Sequence, residues 1–381
     1  MNDFKRRISD MLVIFALIAM CIALMAFPEA VSGAAINSVN LCLYMIIPSL
    51  FPFFVVASLA SETGISMRLG KNLSGIMRPL FGISGSCAVP LILGLIGGYP
   101  VGAKAACALY DSGGCTKEEL GRLMLFCNNS GPAFIFGIVG SYLFGSLKIG
   151  AIIFIVHICT SLAIGVGTKM IFGNVKTLGP VAEHGDKRRR SFSLCFVNSV
   201  TSSVGSIINI SGFIIFFGVL SGILTTIGFF PSLSSFIGQR ILGGNISLAS
   251  SLINGALELT RGISALSLSF CTVPEAAAAA SLLLGCGGVS VIFQIFSVSD
   301  GRDYSRLGVL LAKLMHGAAA CTVSYLIFTL SPAQDITAMA VGSVPVSYMS
   351  AMRFILPVFL IVCMAAVIFN AVLSKNSSGK I

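Results

Sequence analysis

One carboxylate stands out in this chain: Glu258, inside the apolar run GALELTRG (255–262), with Thr260 and Arg261 beside it. An ionisable group at membrane depth is costly and by default functional. The alternative is self-neutralisation, because residues three apart on a helix can touch. Three more clusters interrupt apolar sequence: GGYPVGAK (97–104), CNNSGP (127–132) and CGGVSVIFQ (286–294). Their chemistry is that of binding. Gly97, Gly98 and Pro100 break a helix and leave main-chain groups unpaired beside Tyr99, while Asn128, Asn129 and Ser130 add side-chain donors and acceptors. Gly287 and Gly288 do the same further on, with Ser290 and Gln294 as hydrogen-bonding groups. For an anionic solute, Arg261 and Lys104 are the expected counter-charges, and the half-helices restarting at Ala133 and Val289 turn free N–H groups toward a carboxylate. Lys104 has a second reading, as a side chain reaching for the interface. A neutral solute would rest on Asn128, Asn129, Glu258 and Gln294 instead.

The elements that must hold these residues are membrane helices. The chain has 381 residues, 56% of them hydrophobic and 10% charged, with a mean hydropathy of +0.97. Its apolar runs have the length of helical spans, about 17–25 residues, and lack the alternation of a membrane β-barrel. The net charge of +10 is dispersed at span ends, which points to topology signals and away from nucleic acid. Twelve cysteines lie scattered in apolar segments without a C-x-x-C pair, so neither a zinc site nor a disulfide framework is expected. No H-E-x-x-H, G-x-S-x-G or Walker motif is present, and no enzymatic activity or cofactor is expected; a coupling ion, sodium or proton, is left open.

In order, Lys5, Arg6 and Arg7 precede a first span at Met11–Phe27, with the N-terminus cytoplasmic. A short amphipathic element (Val31–Asn40) and a span (Leu41–Ala60) carrying Pro48 and Pro52 follow, then an interfacial segment with Arg68, Lys71 and Arg78. Cys87–Tyr110 is too broken for an ordinary span and predicts a re-entrant hairpin. Thr116 and Glu119 have the spacing of a capping box. The helix they start unwinds at CNNSGP and resumes over Ala133–Phe144, and a span at Leu147–Phe172 closes the half.

A weak repeat then begins. Gly94 recurs as Gly255, Cys115–Thr116 as Cys271–Thr272 with Glu275 three residues on, Cys127 as Cys286 and His157 as His316, with offsets near 160. Common order and a nearly constant offset carry weight that no single match does. For the two histidines, packing with one hydrogen-bonded nitrogen is the preferred reading and proton coupling the alternative. Asp300, Arg302, Asp303 and Arg306 read as a solvated loop. Most of the 24 Lys and Arg fall at cytoplasmic ends if the halves have opposite orientation. The expected fold is therefore all-α: a polytopic helical membrane protein with an inverted repeat, each half containing a re-entrant hairpin and a discontinuous helix. Residues 1–30 hold the first span, 31–175 the first repeat, 176–191 a basic cytoplasmic linker, 192–331 the second repeat, and 332–381 an outer loop, a last span at Ile355–Leu373 and a cytoplasmic tail. That organisation describes a secondary transporter binding solute near the midplane between its halves.

GGYPVGAK, the following E-E-L-x-R-L-x-x-F-C-N-N-S-G-P (118–132), the segment 255–262 and GGVSVIFQ (287–294) resemble the sporulation integral membrane proteins of the YlbJ or SpoVV type, within the nucleoside recognition or gate-domain family. Ile292 stands where the family pattern carries a polar residue or histidine. The resemblance covers about Ile36–Leu373 and implies an architecture similar to concentrative nucleoside transporters. It also implies a role in spore formation: movement of dipicolinic acid, a planar dicarboxylate, out of the mother cell across the outer forespore membrane. Nucleoside or nucleobase transport is the alternative, and a non-transporting membrane scaffold or receptor is a third reading from another class. The oligomeric state is not legible.

Overall fold

The structure is a computed structural model, described here for residues 2–63, 73, 75–177 and 191–330. The expected last span and most of the basic linker lie outside the described residues. Among the described residues every regular element is helical.

Helix α1 (Asn2–Ala26) is longer than the expected first span, and the chain bends by 95° before α2 (Pro28–Leu41). Pro28 sits at the first position of α2, where a missing N–H costs nothing. The short element expected at Val31–Asn40 is thus a full helix. It runs through a π-helical turn (Cys42–Ile46) into α3 (Ile47–Glu62), which accommodates Pro52 in its interior. After α4 (Gly75–Phe81) come the two arms of a hairpin, α5 (Ala88–Gly97) and α6 (Val101–Asp111). Helix α7 (Lys117–Met124) stops at an unwound stretch, and α8 (Ala133–Leu143) continues with π-helical geometry. Helix α9 (Leu147–Phe172) closes the first half at the expected bounds.

The second half repeats the order. The 35-residue α10 (Phe192–Thr226) and α11 (Phe229–Arg240) precede a second hairpin, α12 (Ile246–Leu257) and α13 (Leu259–Leu266). Helix α14 (Val273–Cys286) meets α15 (Gly288–Val298) at a single residue, Gly287, and α16 (Arg306–Leu330) ends the described chain. The second break is therefore narrower than the expected 287–290, and Ser290 lies within α15. The second half has two glycines at that place and no proline; Gly287 and Gly288, both at positive φ, kink the helix without unwinding it.

Small residues set how closely these helices pack, as is common in membrane bundles. On α10, Gly218 and Gly222 seat Ser38 and Ala34 of α2. In the first hairpin a Cβ on Gly102 would lie 2.9 Å from the Gly94 Cα and 2.1 Å from the Cys127 carbonyl oxygen. In the second, a Cβ on Gly262 would lie 2.2 Å from the Gly255 Cα. Gly94 and Gly255 are the residues that the repeat equates, so both hairpins close on glycine at the same place. Both discontinuous helices also start alike: Thr116 accepts from Glu119 N–H and Thr272 from Glu275 N–H, with each glutamate reaching back to the cap residue. Each such cap contributes about 1 kcal/mol.

Outward faces are apolar. Along α10, Phe192, Val197, Ile208 and Phe216 are exposed, as lipid contact requires. The loop expected to be solvated is exposed and also forms a clasp. Arg302 Nε donates to Asp111 Oδ1 at 3.1 Å, Lys117 pairs with Asp303, and Arg306 pairs with Asp300 at 3.0 Å. The first two join the connection after α6 to the connection after α15.

Candidate functional site

The CNNSGP segment is where the sequence gives up its own hydrogen bonds. From Leu125 to Gly131 the chain is not helical, so main-chain groups buried there need partners from elsewhere. Neighbouring helices supply them. Ser161 on α9 donates to the Phe126 carbonyl at 2.8 Å, and Asn129 Nδ2 donates to the same oxygen at 2.9 Å. His157, also on α9, accepts the Ser130 N–H on Nε2 at 3.0 Å, which puts the proton of a neutral ring on Nδ1. Lys313, on α16 in the other half, donates to the Asn128 carbonyl at 2.6 Å. Each bond contributes about 0.5–1.5 kcal/mol, and leaving its buried acceptor bare would cost more.

The first hairpin tip packs on this segment. Gly98, at φ +73°, comes so near that an added Cβ would lie 2.8 Å from the Gly131 nitrogen. Tyr99 crosses to the second half: its hydroxyl donates to the Leu284 carbonyl at 2.6 Å and accepts from Lys313 Nζ at 3.1 Å, and the ammonium stands 4.7 Å from the ring centre. Gly287 faces that same ring from the second break. The second tip is built on Glu258. Its carboxylate accepts the N–H groups of Thr260 at 3.1 Å and Arg261 at 2.8 Å and so caps α13. Arg261 does not pair with Glu258; its guanidinium donates to Ser38 Oγ on α2 at 3.3 Å. Gly288 packs against the Gly255 carbonyl, so in each half the tip rests on that half's own break.

Between tips and breaks lies a cavity of about 60 Å³. Its polar wall is Tyr99, Ser130, Glu258, Thr260 and Gln294, with Gly97 and Gly98 exposing main chain. Ala133, at the start of α8, also lines it. Much of the remaining wall is apolar, with Ile46, Leu50 and Phe54 from the α2–α3 segment and Ile210 and Ile214 from α10. Of the other residues singled out in the sequence, Asn128, Asn129 and Ser290 are buried behind this wall, each with a side-chain oxygen that has no partner among the described residues. Pro100, Arg261, Gly287 and Gly288 do not line the cavity. Lys104 lies exposed on α6, on the side of the hairpin away from the cavity.

Lys313 is the residue that sequence reading passed over. It is 2% exposed and makes no ion pair among the described residues. Its signal was available in the run LLAKLMHG, a lone lysine three residues before His316 in an apolar helix. His316 itself places Nε2 2.9 Å from the His157 carbonyl, with the two rings 4.4 Å apart. The matched histidines therefore meet at the seam between the halves.

Comparison with known proteins agrees with this geometry. The family described as Gate: Nucleoside recognition matches residues 43–175. The chain is 26% identical over 340 residues to the sporulation integral membrane protein YlbJ of Bacillus subtilis (strain 168), spanning 84% of this chain and 83% of that protein. Its fold is similar to that of a doubly substituted CNTnw in an outward-facing state, with a TM-score of 0.56 and 15% identity over 87% of each chain. The likeness to the gate-domain proteins and to YlbJ that the motifs suggested is thereby shown, and this is an integral membrane protein of transporter-like fold.

Proposed function

We propose that the protein is a secondary carrier of a small organic anion, with dipicolinate, moved out of the mother cell during spore formation, as the leading candidate. The observation that carries the reading is the convergence of both hairpin tips and the first unwound helix on one cavity. In this architecture solute binds between repeats, at half-helix ends. An aromatic dicarboxylate needs an apolar slot and donors for its charge. Ile46, Leu50, Phe54 and Ile214 suit the first need and the α8 N-terminus suits the second; Arg261 reaches a solute there only by leaving Ser38. The spore setting rests on the name of the YlbJ relative; the membrane of the mother cell around the forespore, with both termini cytoplasmic, is part of the proposal.

Opposite orientation of the halves is part of this proposal. The connection after the first hairpin (111–117) meets the connection after the second broken helix (300–303). A broken helix crosses the bilayer, so equally oriented halves would put those connections on opposite surfaces. Their contact favours an inverted repeat.

A second reading, transport of a neutral nucleoside, is favoured by the cavity's only acidic wall residue among those described, Glu258, together with Gln294. Both are suited to a base or ribose. Uptake of labelled dipicolinate into proteoliposomes, with nucleosides as competitors and with sodium or pH gradients imposed, separates the two. Dipicolinate uptake that nucleosides leave unchanged is expected, and Arg261→Ala should abolish it while the protein still reaches the membrane. Competition by nucleosides at low concentration would replace the first reading with the second. Absence of any flux, with Glu258 and Asn129 substitutions silent in spore formation, would favour a scaffold.

A further inference from the structure

The lysine at the seam has no counterpart in the first half. The offset of 159 that relates His157 to His316 relates Phe154 to Lys313, and Phe154 packs on Phe136 with ring centres 5.2 Å apart. A need common to both repeats therefore does not explain it. Nor does an ion pair, since no carboxylate among the described residues meets it. What meets it is oxygen. The Asn128 carbonyl accepts at 2.6 Å and the Tyr99 hydroxyl, whose own proton is given to Leu284, accepts at 3.1 Å. Both Asn128 Oδ1 and Asn129 Oδ1, on the same unwound stretch, are buried without partners among the described residues. Main-chain carbonyls of an unwound membrane helix, with side-chain oxygens beside them, are ligands of the kind that hold a free alkali cation in secondary carriers. Here the ammonium of a third element takes two oxygens at that place, the Asn128 carbonyl and the Tyr99 hydroxyl.

We propose that Lys313 is a tethered cation, covalently part of the chain, in a position that the unwound segment would otherwise offer to a free monovalent ion. Two consequences follow. The wild-type protein needs no sodium to hold its first break and hairpin tip together. Removing the ammonium opens a site for a small alkali cation. The first consequence extends to transport only if the carrier reading holds; the site itself does not depend on that reading.

The test therefore reads stability as well as flux. Purified protein is melted in sodium chloride, lithium chloride and choline chloride at equal ionic strength. For the wild type, and for Lys313→Arg, the three Tm values should coincide. Lys313→Ala should melt lower in choline, by about 3 °C or more, and recover most of that loss in sodium or lithium. Lys313→Gln, which fills more of the space, provides the same comparison should the alanine variant fail to fold. A wild-type Tm that rises specifically with sodium overturns the proposal, as does a loss in both variants that choline repairs as well as sodium does. In proteoliposomes, wild-type flux should be equal in sodium and choline while Lys313→Ala becomes sodium-dependent. If dipicolinate does not move at all, the carrier reading fails while the melting series still decides the cation site.

Discussion

Glu258 does two things with one carboxyl group: it ends the second hairpin turn by capping α13 and it lines the cavity wall. The capping share can be separated by substitution. Glu258→Ala removes both acceptors and should cost about 1–2 kcal/mol, read as a lowered Tm, whereas Glu258→Gln keeps one side-chain oxygen and should lose less. Equal losses for the two would mean that the cap contributes little and that charge is what matters. The residue is conspicuous in the sequence because it is acidic in an apolar run, and the alternative of pairing with Arg261 is not what its carboxylate does. Arg261 sits three residues along a helix of which Glu258 is the cap, so the carboxylate turns to the main chain and the guanidinium turns to Ser38. Lys104 was equally conspicuous in GGYPVGAK, yet helical rotation along α6 places it outward. Spacing gives neighbours along a helix; which face is inward is decided by contacts that sequence alone does not contain.

At the scale of elements, the hairpins depend on close approach of their own arms and of the broken helix. Gly102→Ala would drive a methyl group to 2.1 Å from the Cys127 carbonyl oxygen, a main-chain atom that cannot swing aside. It should destabilise the protein by about 3 kcal/mol or more, or prevent folding. Gly205→Ala on α10, where nothing lies within 4 Å, should stabilise by about 0.5–1 kcal/mol through helix propensity. Thermal melts of the pair check both signs, and similar losses in the two would remove the close-packing account. The first hairpin and the first break were legible because glycine and proline in apolar sequence leave few other structures, and the second hairpin through the repeat that matches Gly94 to Gly255. The second break was overdrawn. CGGVS was read by analogy with CNNSGP, but without proline or asparagine the helix resumes after one residue. The apolar wall of the cavity was not legible, since Ile46, Leu50 and Ile214 look like any other lipid-facing or core side chain. The role of Lys313 escaped because it acts on a segment 185 residues away.

At the scale of the whole molecule, the two halves are joined at one end by ion pairs whose pH limits can be worked out. The hydrogen bond from Arg302 holds the Asp111 carboxyl below its usual range, against a smaller opposing push from desolvation. A depressed carboxyl contributes stability above its unfolded value, about 3.9, and loses it as pH falls through the folded value. The hydrogen bond to Asp303 raises Lys117. That contribution is full below about 10.4 and disappears as pH rises through the folded value. The clasp is therefore whole from about pH 4 to about pH 10. The Tm difference between wild type and Asp111→Asn should be small, constant between pH 5 and 9, reduced by salt, and should fade below about pH 4. A difference that widens in acid would contradict the assignment. The exposure of this loop is legible in the sequence and its pairing is not, because the partners of Arg302 and Asp303 are nearly two hundred residues distant.

The unwound stretch at 125–131 is shaped from outside, by Ser161, His157 and Lys313. The motif is consequently not portable. Transplanted into another bundle as six letters, CNNSGP would bring a kink and no binding geometry, because the groups that fix its main chain stay behind on α9 and α16. Engineering a receptor from this scaffold would mean moving three helices together, and recognising distant relatives by pattern would mean scoring the histidine, serine and lysine along with the loop they hold.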